Sequence, residues 1–346
     1  MPIFDQGYQH WSGQLSGHAG RWLAITRHGL RVGLAGKGVR ILLLAAFVPA
    51  LMLAFVLSVW GLLERQSDLI TSIMPMLGFL DPEILAAPRA YRVEVWTLSY
   101  NYFLATQLLV AMILILTVGP NLISQDLRYN ALPLYFSRPL RRIDYCLGKL
   151  GVIVGLLVAV IILPAIAAYM LGLAFSLDLS ILRDTFGILM ASIGYGLVIA
   201  LSAGLLMLAL SSLSRNSRYV ALFWIGIWIV TTAVSTVLQE MERENRMQQA
   251  GWNVSGADVR AAARRDWRPL VSYTANLQRV GEHLLGTHAA WERFGKLQPA
   301  GRRDEFMLAV AGPQFPWYWS ATVLVVLFGL SVCTLSFTIK SLDRLK

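Results

Sequence analysis

Charge is the first thing this chain has little of. Of its 346 residues, 14% are Asp, Glu, Lys or Arg and 56% are hydrophobic, and the mean hydropathy is +0.57. Soluble domains carry roughly 25% charged residues, so that class is excluded. The shortage is most complete inside six apolar runs, each about 20 residues or longer, where no Asp, Glu, His, Lys or Arg falls mid-run. A proton-coupled transporter needs an intramembrane carboxylate or histidine, and a metal-dependent membrane enzyme needs clustered ligands, so neither is expected. Cysteine is nearly absent. Cys146 and Cys333 stand near the ends of two runs, and no disulfide between them is expected. The sequences G-x-S-x-G, H-E-x-x-H and C-x-x-C are missing too. Gly36-Lys37 is followed by Gly38 and has Arg31 where a P-loop needs its first glycine. If the chain moves a solute uphill, the energy comes from another chain, which needs a docking surface.

What is present is a succession of spans, predicting an all-α polytopic membrane protein with six transmembrane helices. The runs cover 41–63, 100–123, 145–175, 186–213, 219–238 and 317–339, with Pro49 and Pro164 inside the first and third. A turn from Asp178 to Asp184 leads into the fourth run. In that run Gly187, Ala191, Gly196, Ala200 and Gly204 make a small-residue stripe that lets a neighbouring helix approach. The first 40 residues are polar, basic and glycine-rich, which predicts no cleavable signal peptide. They also predict an interfacial amphipathic helix. Trp11, Leu15, Ala19, Trp22 and Ile25 fall on one face, and Arg21, Arg27 and Arg31 on the other.

Arginine and lysine gather in the N-terminal tail, in the interval 119–149, in the Arg215/Arg218 turn and at the C-terminus. The positive-inside rule then places both termini and that interval in the cytoplasm. The net charge of +10 is thereby topological and gives no reason to expect nucleic-acid binding. The expected divisions are 1–40, a cytoplasmic tail; 41–239, five helices with a cytoplasmic segment at 124–144; 240–312, an extracytoplasmic helical segment; and 313–346, the sixth helix and a short tail. Within 240–312 helices are predicted at 257–267, at 272–285 with Ser272 as N-cap, at 289–297 and at 303–311. Trp252, Trp267, Tyr273, Trp291 and Phe294 are the candidates for a small core there. His283 and His288, near Glu282 and Glu292, make a weak metal-site pattern, and surface histidines on a helix are the commoner case.

The interval 119–149 is the most polar stretch between two apolar runs. Gly119-Pro120 reads as a helix-ending pair, followed by a short helix over 126–132 with Ser124 as its N-cap. A second helix is predicted from 138, with Pro139 in its first turn. The simpler reading is a solvated loop. The functional reading is the docking surface: Arg138, Arg141 and Arg142 offer planar donors to a partner's carboxylates, and Tyr135 and Phe136 offer anchors.

The same residues carry a resemblance. Gly119-Pro120-Asn121-Leu122-Ile123-Ser124-Gln125-Asp126, Asn130-Ala131-Leu132, Leu134-Tyr135-Phe136-Ser137-Arg138-Pro139, Arg142, Tyr145 and Leu147-Gly148-Lys149 resemble the motif of bacterial ABC-2 type transporter permeases. Asn130 stands where family members often have Gly, and the segment before the last span is longer than the short re-entrant helices usual there. The resemblance implies a non-catalytic permease in the bacterial cytoplasmic membrane, working as a homo- or heterodimer with a separate ATP-binding subunit that holds ATP and Mg. It implies a coupling helix after the second span, drawing on Asp126, Arg128, Tyr135, Phe136, Ser137, Arg138, Pro139, Arg141 and Arg142. It also implies an N-terminal connecting helix over 11–34. The path would run between the second and fifth spans of two protomers, past Tyr100, Asn101, Tyr102, Thr106, Gln107, Phe223, Trp224, Trp228, Thr231, Thr232 and Ser235. Those aromatics suit an amphipathic or lipidic cargo, which this resemblance implies is exported, and membrane lipid is a further partner. Two other readings stand beside this one. One is an enzyme with its chemistry in 240–312. The other is an anchoring subunit whose extracytoplasmic segment docks a partner.

Overall fold

The computed structural model describes residues 20–66, 81–136, 140–176, 179–250, 265–298, 306 and 315–343. Among these the chain is helical and contains no strand. Six helices are long and apolar enough to cross a membrane: Lys37–Glu64, Pro88–Arg128, Arg142–Ser176, Ser180–Leu213, Ser217–Glu242 and Trp317–Thr338. The fourth lies at the centre of the bundle, with 61% of its apolar window buried, whereas the fifth and sixth are at the periphery with 17% each.

In chain order, α1 (Arg21–Ala35) is separated from α2 (Lys37–Glu64) by Gly36, whose extended backbone breaks the helix. A short α3 (Pro82–Ala86) begins at Asp81, whose carboxylate accepts the Glu83 N–H at 3.0 Å. α4 (Arg92–Val118) is followed by α5 (Asn121–Arg128) and α6 (Leu132–Phe136). α7 (Arg142–Ser176) is continuous but passes through a π-helical segment, Val158–Ile162, just ahead of Pro164. The widened turn accommodates the proline ring and its missing N–H. α8 (Leu179–Leu213) is the central helix. α9 (217–250) has its own π-segment at Gly226–Val230. α10 (Tyr273–Leu285), α11 (Thr287–Gly295) and α12 (Trp317–Asp343) follow among the described residues.

Two helices begin earlier than their apolar runs suggest. α4 starts at Arg92 rather than near residue 100, and α8 starts at Leu179, so the expected turn from Asp178 to Asp184 is helical from Leu179 onward. The reason is mutual neutralisation. Arg92 Nη2 lies 2.6 Å from Glu64 Oε2, with the two side chains only 4% and 2% exposed, and Arg92 Nη1 lies 2.9 Å from Asp184 and from Ser180 Oγ. Charges that would interrupt a lone span are paired across three helix ends. The small-residue stripe of α8 acts over part of its length. Gly196 faces Ile161 and Ile162, Gly204 faces Leu150 and Ile153, and Ala200 is fully buried, while Gly187 has open space around it.

The segment before the sixth span does not gather a core of its own from the expected aromatics. Trp291 and Phe294 do touch, but Trp267 is 56% exposed and Tyr273 packs edge-on against Trp224 of α9. Trp252 lies outside the described residues. The N-terminus of α10 is instead sunk into the bundle. Ser272 Oγ accepts the Ala275 N–H, the expected cap, and the Tyr273 hydroxyl meets Ser202 Oγ at 2.9 Å. Ser202 lies about 16 Å along α8 from Leu213, roughly half a hydrocarbon core. α10 rises from that depth to the left-handed Gly286 and turns into α11. The pair is thus a re-entrant hairpin, stapled to the start of α4 by Arg293–Glu94 at 2.5 Å and by the Tyr91–Phe294 stack. The cost of desolvating polar backbone explains the choice: in an apolar solvent, helix ends descend only where protein hydroxyls receive them. His283 stacks on Trp317 with ring centroids 4.2 Å apart, and His288 faces Glu292 at 3.5 Å.

Removing one partner of a buried ion pair leaves an uncompensated charge and costs on the order of 3 kcal/mol or more. Glu64→Gln should therefore lower the thermal midpoint of the purified protein by several degrees, and Arg183→Gln, at an exposed position on the same end of the bundle, should not. Equal midpoints for the two variants would contradict the clamp.

Candidate coupling site

The motif-bearing interval begins where α4 meets α5. Gly119-Pro120 does not end the helix. Both residues keep α-helical torsions, and the Gly119 N–H still donates to Ile115 O at 2.8 Å. Gly119 is required by a close approach, since a Cβ there would collide with Met207 of α8. The proline has no N–H, and the next free amides are taken by a different helix. Ser211 Oγ accepts the N–H groups of Ile123 and Ser124 at 3.1 and 3.0 Å and donates its own proton to Pro120 O at 3.0 Å. So α5 starts at Asn121, not at 126. Ser124, the expected N-cap, is buried inside it and donates back to Pro120 O.

A second tie joins α5 to α7. Asp126 accepts the Tyr145 O–H at 2.6 Å and lies 2.7 Å from Lys149 Nζ. Lys149 also sits 5.5 Å from the centre of the Tyr145 ring. Asp126 therefore faces inward and fastens α5 to α7. The chain reverses at Asn130, whose φ of 50° is left-handed. Asn and Gly are the residues that enter this region at little cost, which accounts for asparagine at a position where glycine is common. Beyond it, the Tyr135 ring packs against Tyr145 at 5.8 Å, and burial together with nearby Asp126 raises the Tyr135 phenol's pKa. α7 starts at Arg142, with the Asp144 carboxylate accepting the Arg141 N–H at 3.3 Å.

The outward surface of this unit mixes apolar and basic groups. Tyr129 and Leu134 are 74% and 67% exposed, Ile143 is also exposed, and Arg128 lies over the Tyr129 ring. Arg141 is exposed and Arg142 half-buried. The expected contributors Ser137, Arg138 and Pro139 lie outside the described residues, as does the Phe136 side chain. Sequence reasoning named Leu134 only within the motif and did not name Tyr129 or Ile143. The available signal was three large apolar residues within a water-facing interval.

α1 lies along the first half of α7. Gly148, Gly151 and Gly155 form a groove that receives Ile25, Thr26 and Leu30, and Gly29 of α1 faces Val152 in return. Side chains at Gly148 or Gly151 would collide with α1. The close approach lets the Thr26 hydroxyl donate to Gly148 O at 3.0 Å. Trp22 and Ile25 share this face, as the periodicity indicated, and Arg27 and Arg31 point away. Residues 1–19, with Trp11, Leu15 and Ala19, are outside the described set.

The residues expected along a path separate into two kinds. Tyr100, Gln107 and Trp224 are completely buried and act as struts within the protomer. The Tyr100 hydroxyl donates to Ala165 O at 2.9 Å, the Gln107 amide to Ala46 O at 2.7 Å, and the Trp224 indole to Met112 O at 3.1 Å. Tyr102 and Phe223 face outward at 63% and 61% exposure, with Thr106 also exposed. Asn101, Trp228 and Thr231 are half-buried, and Ser235 is buried and donates to Arg268 O. Thr232 is half-buried and contacts the hydroxyls of Ser272 and Thr274, each at 3.0 Å, at the foot of the re-entrant hairpin.

The family described as ABC-2 family transporter protein matches residues 25–294, a stretch that holds most of α1 and of the re-entrant hairpin and the whole interval 119–149. Among curated proteins, none matches the chain.

Removing the Asp126 carboxylate takes its acceptor from the Tyr145 hydroxyl and its counter-charge from Lys149, both largely shielded from water, at a cost of about 1–3 kcal/mol. Asp126→Ala should raise amide hydrogen exchange across 121–128 by about fivefold or more, and Arg128→Gln should leave it unchanged. Equal exchange in the two variants would show that α5 does not depend on this tie.

Proposed function

From membership of the ABC-2 family of transporter membrane proteins, to which this chain belongs, we propose that it is the permease subunit of an exporter driven by a separate ATP-binding subunit. Permeases of this family in general act as dimers with an ATP-binding partner. In this reading both termini and the segment from Asn121 to Arg142 face the cytoplasm of a bacterial cell. ATP and Mg are held by the partner, and the cargo is amphipathic or lipidic.

The observation that carries the proposal is the construction of α5. It is a short helical continuation of α4 past Pro120, fixed to α8 through Ser211 and to α7 through Asp126, and it leads into a segment whose outward side carries Arg128, Tyr129 and Leu134. A rigid element so placed transmits a partner's rigid-body motion to three spans at once. Tyr129, Leu134, Tyr135 and Phe136 would serve as anchors, with Arg128, Arg138, Arg141 and Arg142 pairing to carboxylates of the partner and Ser137 and Pro139 shaping the intervening turn. Between protomers, the outward Tyr102, Thr106 and Phe223 would line the path, with Asn101, Trp228 and Thr232 deeper in, while Tyr100, Gln107 and Trp224 keep the walls in register.

Co-expression with an ATP-binding subunit tests this. Truncating two anchors, Tyr129→Ala with Leu134→Ala, should reduce co-purification of that subunit by tenfold or more, since anchors at the centre of an interface cost about 2 kcal/mol each. The permease should retain its thermal midpoint. Undiminished complex formation and transport in the double variant would remove the docking role. The purified chain alone should hydrolyse no ATP, and hydrolysis by it, free of contaminants, would contradict the division of labour.

A further inference from the structure

The end of the bundle that carries α1 has a basic notch that the coupling reading does not use. An open concavity of about 530 Å³ is lined by Arg27, Leu30, Arg31, Leu34, Ala35 and Arg40, at the junction of α1 and α2. A second hollow beside it is lined by Ala24, Arg27, His28 and Arg31. No Asp or Glu occurs between residues 6 and 63 of the sequence. Among the described residues, none of Arg27, Arg31 and Arg40 forms an ion pair, and Arg40 is held over the notch by donating to Ala35 O at 3.0 Å.

Below Arg40 the same face of α2 is apolar and uncovered. Leu44, Val48, Leu51 and Phe55 follow at four-, eight-, eleven- and fifteen-residue offsets from Arg40, and are 72%, 65%, 67% and 63% exposed. Converging cations thus sit at the head of a continuous apolar stripe that runs down a membrane-length helix. We propose that this notch and stripe form a binding site for one anionic phospholipid, its phosphate among Arg27, Arg31 and Arg40 and its acyl chains along α2.

The chemistry favours a lipid over a soluble anion or a protein carboxylate. A soluble anion would use the guanidinium groups and leave the stripe unexplained. A protein loop reaching Arg40 would have to bury its own backbone against an apolar surface with no polar group to receive it. A phospholipid satisfies both parts, since guanidinium suits phosphate in a planar, two-pronged geometry and its chains match the stripe. A bound lipid there would also brace α1 against α2 on the side away from the glycine groove of α7. The proposal is independent of the coupling role of α5.

The test uses the full chain reconstituted in phosphatidylcholine vesicles with trace spin-labelled lipid. The motionally restricted fraction is read by electron spin resonance for phosphatidylglycerol and phosphatidylcholine labels. The wild type should prefer phosphatidylglycerol. The double variant R31Q/R40Q should lose roughly fivefold of that preference per arginine removed, the scale set by single basic residues near an anionic surface. R215Q/R218Q, which removes the same charge from another turn of the same end, should keep it. Equal loss in the two double variants would reduce the effect to general surface charge and overturn the site. Displacement of the label by about 10 mM inorganic phosphate, above its effect in the control variant, would make it a soluble-anion site and overturn the lipid assignment. Unchanged lipid preference in R31Q/R40Q, together with loss of a bound ATP-binding subunit, would assign the notch to the partner instead.

Discussion

Where helices of this bundle cross, one constraint recurs: a polar group that cannot reach water must be received by another helix. The solution is repeatedly a side-chain donor aimed at a backbone carbonyl. Thr26 donates to Gly148, Gln107 to Ala46, Tyr100 to Ala165, Ser211 to Pro120, Trp224 to Met112 and Ser235 to Arg268. Each bond is modest, about 0.6–1.7 kcal/mol by comparison with measured interhelical bonds in a membrane. Their placement matters more than their sum. Three lie close to prolines: Ala46 precedes Pro49, Ala165 follows Pro164, and Pro120 stands between α4 and α5. They tie neighbouring helices together at fixed points, which sets the relative register of the spans.

That arrangement makes α5 more than an appendage of the second span. Its amides are held by α8 and its carboxylate by α7, so three helices converge on eight residues, Asn121–Arg128. At the opposite end of the bundle Arg92 joins α2, α4 and α8, and Glu94 joins α4 to the re-entrant hairpin. α4 and α8 take part in both junctions. α5 is thereby connected, through α4 and α8, to the region where the hairpin is stapled.

Six spans, the outward positions of Arg27 and Arg31 and the Ser272 cap were legible from periodicity and punctuation. Asn130 was visible as a departure from glycine, and its left-handed backbone supplies the reason. Other features depended on tertiary contacts that no local pattern contains. Arg92 and Asp184 look like loop charges until Glu64 is brought beside them. Asp126 looks like a docking carboxylate until Lys149 and Tyr145 turn it inward. The glycines at 148, 151 and 155 are spaced as a packing groove, yet which helix fills it follows only from the position of α1. Tyr273 reads as part of an outer core and instead reaches Ser202 deep in the bundle. Helix existence is encoded locally, whereas the destination of each polar group is set by its neighbours.

The central claim is that α5 moves with the spans as one body. Spin labels at the exposed positions Gln125 on α5 and Leu213 at the end of α8 measure this within one protomer. The account predicts a narrow distance distribution that keeps its mean when the complex with its ATP-binding subunit passes from the nucleotide-free to the ATP-trapped state, while the distance between the two Gln125 labels of a dimer changes. A Gln125–Leu213 distribution that broadens or shifts between those states would show that α5 swings free of the bundle, and would contradict the account.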